Sequence, residues 1–217
     1  MSEETEIATI QCYCSIMDEI KFRLDWIKNV IHAKIPISGT IGRDLGYLEL
    51  RMVCELIALG CLAAHGDIKE TRGAKLTRRY EADFLIAAMA KLHPTFYPQP
   101  MLRIPNQVPV PDEFGIKFRG PPPLTSGFLT QSDLRKLYHT CGEKLHRGNL
   151  NDILGRKKIE NEFSSIGKTV DKIVRLLDYH RIRLIDQKKE IWVEMSGPIG
   201  GKAYAGKVER TTPPNVR

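Results

Sequence analysis

The chain has 217 residues, 42% of them hydrophobic and 27% charged, with a formal net charge of +7 and a pI near 9.2. That length and balance give one domain, or one domain with an appendage, able to bury a true core. They exclude a membrane-spanning chain, because the longest apolar stretch, Met52 to Ala64, carries Glu55 and Gly60 and falls short of the roughly 18 residues a span requires. The excess of positive charge permits an anionic partner.

The acidic start, Met1 to Glu6, lacks a basic region followed by an apolar run and so points to a cytoplasmic protein. Five scattered cysteines, an odd number, argue against disulfides in that compartment. Cys54 and Cys61 lie in an apolar helical pattern and read as small core residues. Cys12 and Cys14 have no second pair at zinc spacing, so neither a metal nor a cofactor is expected.

Residues 11–33 read as a first helix, with Ile16, Ile20, Leu24, Ile27 and Ile31 as its buried stripe. Pro36, Ser38 and Gly39 end it. A second helix, capped by Asp44, runs from Leu45 to about Ala64 with Leu48, Met52, Leu56, Leu59 and Ala63 as its stripe. Its apolar surface is broad enough for the central helix of a bundle. Arg51 and Glu55 are neighbours on it, four residues apart. A third helix is predicted from about Leu76 to Leu92, ended by His93-Pro94. Before and into it runs a basic stretch, Lys69, Arg72, Lys75, Arg78 and Arg79.

Most of the thirteen prolines fall between Pro94 and Pro123, and no helical period survives there. The insert, residues 94–130, offers extended pieces at 101–110 and 115–119 and reads as a functional loop or an ordered cover. Thr130 to Asp133 supplies N-cap residues for a fourth helix ending near Arg147. A fifth helix follows over residues 159–180. Segments 182–185 and 190–195 form a hairpin, 202–210 adds a third strand, and 211–217 is a disordered tail. The fold class is therefore mainly α: a helical bundle over 1–180 with a small C-terminal antiparallel sheet over 181–210 packed on it.

The fourth helix carries the chemistry. Leu134, Tyr138, Cys141 and Leu145 share its buried face, and Arg135, His139, Gly142 and His146 form the adjoining stripe. Histidine exchanges protons near neutral pH, and arginine holds a phosphate or offsets developing negative charge. Such a set suits metal-independent RNA cleavage in which the 2′-hydroxyl is the nucleophile. Arg135, His139 and His146 are the catalytic candidates, with Lys75, Arg78, Arg79 and Arg147 as nucleic-acid contacts. The alternative for the same residues is an exposed His139 and a His146 that caps the helix C-terminus.

Arg51-Met-Val-Cys-Glu55 on the second helix, with Leu137-Tyr138 and Leu145-His-Arg-Gly-Asn149 on the fourth, resembles the helical HEPN domains. The resemblance covers residues 11–180 outside the insert. It implies a four- or five-helix bundle and, for active members, RNA cleavage of a defence or toxin–antitoxin type at a homodimer interface. Active members separate an arginine from a following histidine by four to six residues. Here three residues separate Arg135 from His139 and ten separate it from His146, which leaves a noncatalytic dimeric scaffold as the implied alternative. Such a scaffold would meet a protein partner through the Pro-rich loop or C-terminal strands. A small-molecule sensor with a pocket between bundle and Pro-rich cover is the third reading. A P-loop is excluded because Gly39-Thr-Ile-Gly42 lacks the Lys-Ser/Thr ending, and neither His-Glu-x-x-His nor Gly-x-Ser-x-Gly occurs.

Overall fold

The computed structural model describes residues 3–103, 111–112, 115–116, 121–146, 148, 154, 162–186, 189–196 and 201–209. Helix α1 spans Glu3–Ile31 and α2 spans Gly39–Ala64. On α1, Tyr13, Met17, Ile20, Leu24, Ile27 and Val30 are buried, the three- and four-residue spacing of a single stripe. The helix begins eight residues before the predicted start, at Glu3 rather than residue 11. Lys207 reaches back to Glu6 at 2.6 Å and ties these first turns to the C-terminal sheet, a tertiary contact that local periodicity does not carry.

Ser38 caps α2 by accepting from the Ile41 backbone N–H at 3.4 Å, so it starts this helix instead of ending the previous one. Asp44, the predicted cap, lies inside the helix and pairs with Arg43. The buried face is Leu50, Val53, Cys54, Ile57, Ala58 and Cys61, nearly opposite the predicted stripe; Leu48 is exposed and Met52, Leu56 and Leu59 are half-buried. A helix that is apolar almost all round offers no moment from which to choose a side. In the fold, α1, α4, α5 and α6 surround it.

The predicted third helix is broken. A 3-10 turn at Lys69–Arg72 leads to a short α3, Ala74–Thr77, and α4 begins only at Ala82 and ends at Leu92. At the break, the Glu81 carboxylate accepts from the Tyr80 backbone N–H at 3.3 Å and pairs with Arg79 at 3.2 Å. Helix α5, Gln131–Leu145, is set by a capping box: Thr130 Oγ1 accepts from the Asp133 N–H at 3.1 Å, and the Asp133 carboxylate accepts from the Thr130 N–H at 3.3 Å. Helix α6, Phe163–Leu177, buries Ile166, Val170, Ile173, Leu176 and Leu177.

Among the described residues six strands complete the fold: β1 Gln99–Pro100, β2 Pro111–Asp112, β3 Gly115–Ile116, β4 Tyr179–Arg183, β5 Lys189–Glu194 and β6 Tyr204–Glu209. β1, β4, β5 and β6 form an antiparallel sheet in that order, and β2 pairs with β3. β1 comes from the Pro-rich insert and lies on the sheet edge, where a proline costs no ladder bond. Ile182 stands opposite Ile191 and His180 opposite Val193, and their inward side chains join the helical core. The fold is thus mainly α with a small C-terminal antiparallel sheet, as the sequence predicts. Among the described residues no helix is long and apolar enough to cross a membrane. Most of the predicted 101–110 and 115–119 strands, Arg147 and the tail lie outside the described residues.

Bundle and sheet meet at a buried polar pair. His180 Nδ1–H donates to the Leu177 carbonyl at 2.8 Å, which leaves Nε2 to accept from Tyr13 Oη–H at 2.7 Å. Burial lowers the His180 pKa to about 4, against about 6.5 for a free histidine. The unfolded chain therefore takes up this proton at a higher pH than the folded one. Stability from this group is present above about 6.5 and falls by up to about 3 kcal/mol as pH drops towards 4. Burial also lowers the His65 pKa, with the same sign. We predict that the His180→Gln variant, which can still bond Tyr13, has a shallower fall in urea midpoint between pH 7 and pH 4.5 than the wild type. Equal slopes would contradict this assignment.

Candidate functional site

The buried face of α5 consists of Leu134, Tyr138 and Cys141, and it packs on α2 and α4. Arg135 and His139 follow each of the first two by one residue and therefore emerge beside that face, one turn apart. Both are exposed, with side chains 47% and 63% accessible. Asp83, in the first turn of α4, reaches both. Its Oδ1 accepts from Arg135 Nε, and its Oδ2 lies 3.6 Å from His139 Nε2. The hydrogen bond from Arg135 holds the Asp83 carboxyl below its usual range, so the carboxylate is ionised wherever the protein is folded near neutrality. A carboxylate at the imidazole orients the ring.

Inside this exposed cluster lies a second one. The Arg51 guanidinium stacks 4.1 Å from the centre of the Tyr138 ring, and its Nη2 donates to Tyr138 Oη at 2.8 Å. Arg51 Nε is 3.6 Å from Glu55, the predicted neighbour. Burial raises the pKa values of both Glu55 and Tyr138. Gly142 provides the necessary space, since a Cβ there would stand 2.9 Å from Arg51 Nη1. The space beside this glycine is occupied by an arginine from α2. Tyr138 and His139 rings meet edge-on at 6.0 Å between centres, which makes the inner and outer clusters one continuous surface.

His146 is the C-cap of α5; its backbone N–H bonds Glu143 O at 3.3 Å and its side chain is exposed. It stands two turns beyond His139, about 10 Å along the axis, so the two histidines do not flank one bond within a single chain. Lys75, Arg78 and Arg79 are exposed on α3 and the approach to α4. Arg79 stacks 5.0 Å from the Phe84 ring, which brings this basic stretch to the turn that carries Asp83. The C-terminal end of α5 is fixed separately: Arg43 donates to Lys144 O at 3.0 Å and to Glu162 at 3.1 Å.

Asp83 and Arg51 are the members of this surface not assigned to a site from sequence. Asp83 lies 52 residues from Arg135 in the chain, and nothing in its neighbourhood marks it. Arg51 carried a visible sign, a charge pair on an apolar helix, but not the identity of its partner. Among the described residues no group of three or more His, Cys, Asp or Glu side chains converges to hold a metal. No protein-family model, curated protein or solved structure matches this chain.

Gly142→Ala is the sharpest probe of the inner cluster. The obstructing atom is the end of a flexible side chain, and alanine gains up to about 1 kcal/mol in helix propensity. Chemical denaturation should therefore show unchanged or slightly increased stability while Arg51 leaves its seat. A loss of more than about 1 kcal/mol would show that the seat is structural.

Proposed function

We propose that this is a cytoplasmic RNA-binding protein that cleaves its substrate without a metal at the α4–α5 surface. The observation that supports this reading is Asp83 addressing both Arg135 and His139 on one exposed stripe. In this reading His139 accepts the proton of a 2′-hydroxyl, and that oxygen attacks the adjacent phosphorus. Arg135 and Arg51 offset the charge that develops on the phosphate. The 5′-oxygen leaves with a proton from water, giving a 2′,3′-cyclic phosphate and a 5′-hydroxyl. Lys75, Arg78 and Arg79 are exposed beside this surface and supply positive charge that an anionic strand requires. The resemblance of the segments Arg51 to Glu55 and Leu145 to Asn149 to HEPN domains agrees with the same reading.

A noncatalytic homodimeric scaffold is the second reading, and one feature favours it. Tyr80 is 62% and Phe84 36% accessible beside the same cluster. A second copy of the chain is the partner we propose for these rings. Incubation of the purified protein with unstructured RNA in EDTA separates the readings. The first requires cyclic-phosphate products and a rate lowered about 100-fold or more in His139→Ala, with binding that weakens steeply as salt rises. His139 is exposed, so that variant should fold as the wild type does. RNA left intact by the wild type would overturn cleavage in favour of the scaffold.

A further inference from the structure

The bridge 78–81 between α3 and α4 holds its backbone firmly and leaves one aromatic ring in water. Leu76 on one side of it and Ala82 and Leu85 on the other are buried, so apolar packing fixes both ends. Within the bridge the Arg79 N–H donates to the Leu76 carbonyl at 3.0 Å, and the Tyr80 N–H donates to the Glu81 carboxylate at 3.3 Å. The Tyr80 side chain nevertheless stays 62% accessible. Phe84, the other exposed ring nearby, already has the Arg79 guanidinium 5.0 Å from its centre. The Tyr80 ring contacts no other ring and no cation among the described residues. A tyrosine has two side-chain torsions, so seating a planar group on a ring whose backbone is already fixed loses little ordering entropy.

The surroundings of this ring are those of a polyanion site. Lys75, Arg78 and Arg79 are exposed on the same short segment. From Tyr80 to Asp83 is at most about 11 Å of chain, and Asp83 is the carboxylate that reaches both Arg135 and His139. The bridge also runs close to the inner cluster: burial first, and the Glu81 charge after it, raises the pKa values of both Glu55 and Tyr138. A ligand that fits this segment carries negative charge along its length and a planar face within reach of it. A single nucleic-acid strand has both, phosphates for the cations and unpaired bases for the ring. A duplex hides its base faces in its own stack, and an acidic peptide carries no planar face at each unit.

We propose that Tyr80 is the stacking platform for an unpaired nucleobase of the strand bound at the α4–α5 surface. This rests on the RNA reading above and adds a selection to it. The site takes single strands in preference to duplexes. It discriminates little among the bases, because every base has a π face.

The test is binding of the full chain to a short fluorescein-labelled 2′-O-methyl oligouridylate, which lacks the 2′-hydroxyl nucleophile and stays intact. Tyr80→Ala should weaken binding about tenfold, within the range that alanine substitution gives for base–aromatic stacks. The salt dependence of the affinity should not change, since the ring neutralises no phosphate. Tyr80→Phe should bind as the wild type does. An abasic strand of the same length, and the matching duplex, should each bind wild type and Tyr80→Ala alike. Tyr80 is exposed, so both variants should fold. If the wild type binds the strand and Tyr80→Ala stays within about twofold of it, the proposal is overturned while the RNA reading stands. An equal loss of affinity for the abasic strand also overturns it. No saturable binding by the wild type overturns both. A wild-type dimer that Tyr80→Ala converts to monomer in sedimentation, with strand affinity unchanged, assigns the ring to a second copy of the chain and overturns the proposal.

Discussion

Helix α2 has to be enclosed on nearly every side, and the rest of the architecture follows from that requirement. Leu50, Val53, Cys54, Ile57 and Cys61 are fully removed from solvent, and Leu56 and Leu59 pack against the same core from the opposite side. Glycines let the neighbours come close. A Cβ at Gly60 would stand 3.3 Å from the Tyr13 ring on α1, and one at Gly46 would stand 3.0 Å from Ile166 on α6. Enclosure removes apolar surface from water at about 25 cal/mol per Å², a gain that no isolated helix of this composition could realise.

The same enclosure accounts for the inner part of the candidate site. Arg51 and Glu55 sit on this apolar helix, and charged groups drawn towards a core must find partners or forfeit their hydration. Tyr138 meets both needs through its hydroxyl and ring face, and Gly142 leaves room for the guanidinium. The position of α5 is therefore coupled to a charge pair on α2. That position sets Arg135 and His139 at the surface within reach of Asp83 from α4. Packing of the bundle thereby brings Asp83, Arg135 and His139 together at its edge.

Signals confined to one element were legible in the sequence. The Thr130–Asp133 capping box fixes the start of α5, the hairpin of β4 and β5 is foreseen although β4 begins at Tyr179 inside the predicted fifth helix, and Ile20, Leu24 and Ile27 mark the inner side of α1. Signals that depend on a distant partner were not. The face of α2 was misjudged because leucines lie on both sides, and the break before α4 depends on a local arrangement of Arg79, Tyr80 and Glu81. Asp83 joins the site only once α4 and α5 are packed.

The central claim is that RNA meets this protein where Asp83, Arg135 and His139 converge. Amide chemical-shift mapping on the isotopically labelled chain, titrated with a short unstructured RNA, tests it most directly. The account predicts that the largest shifts fall on residues 79–84 and 135–142. Shifts centred on the C-terminal sheet, or no saturable shifts on α4 and α5, would contradict it.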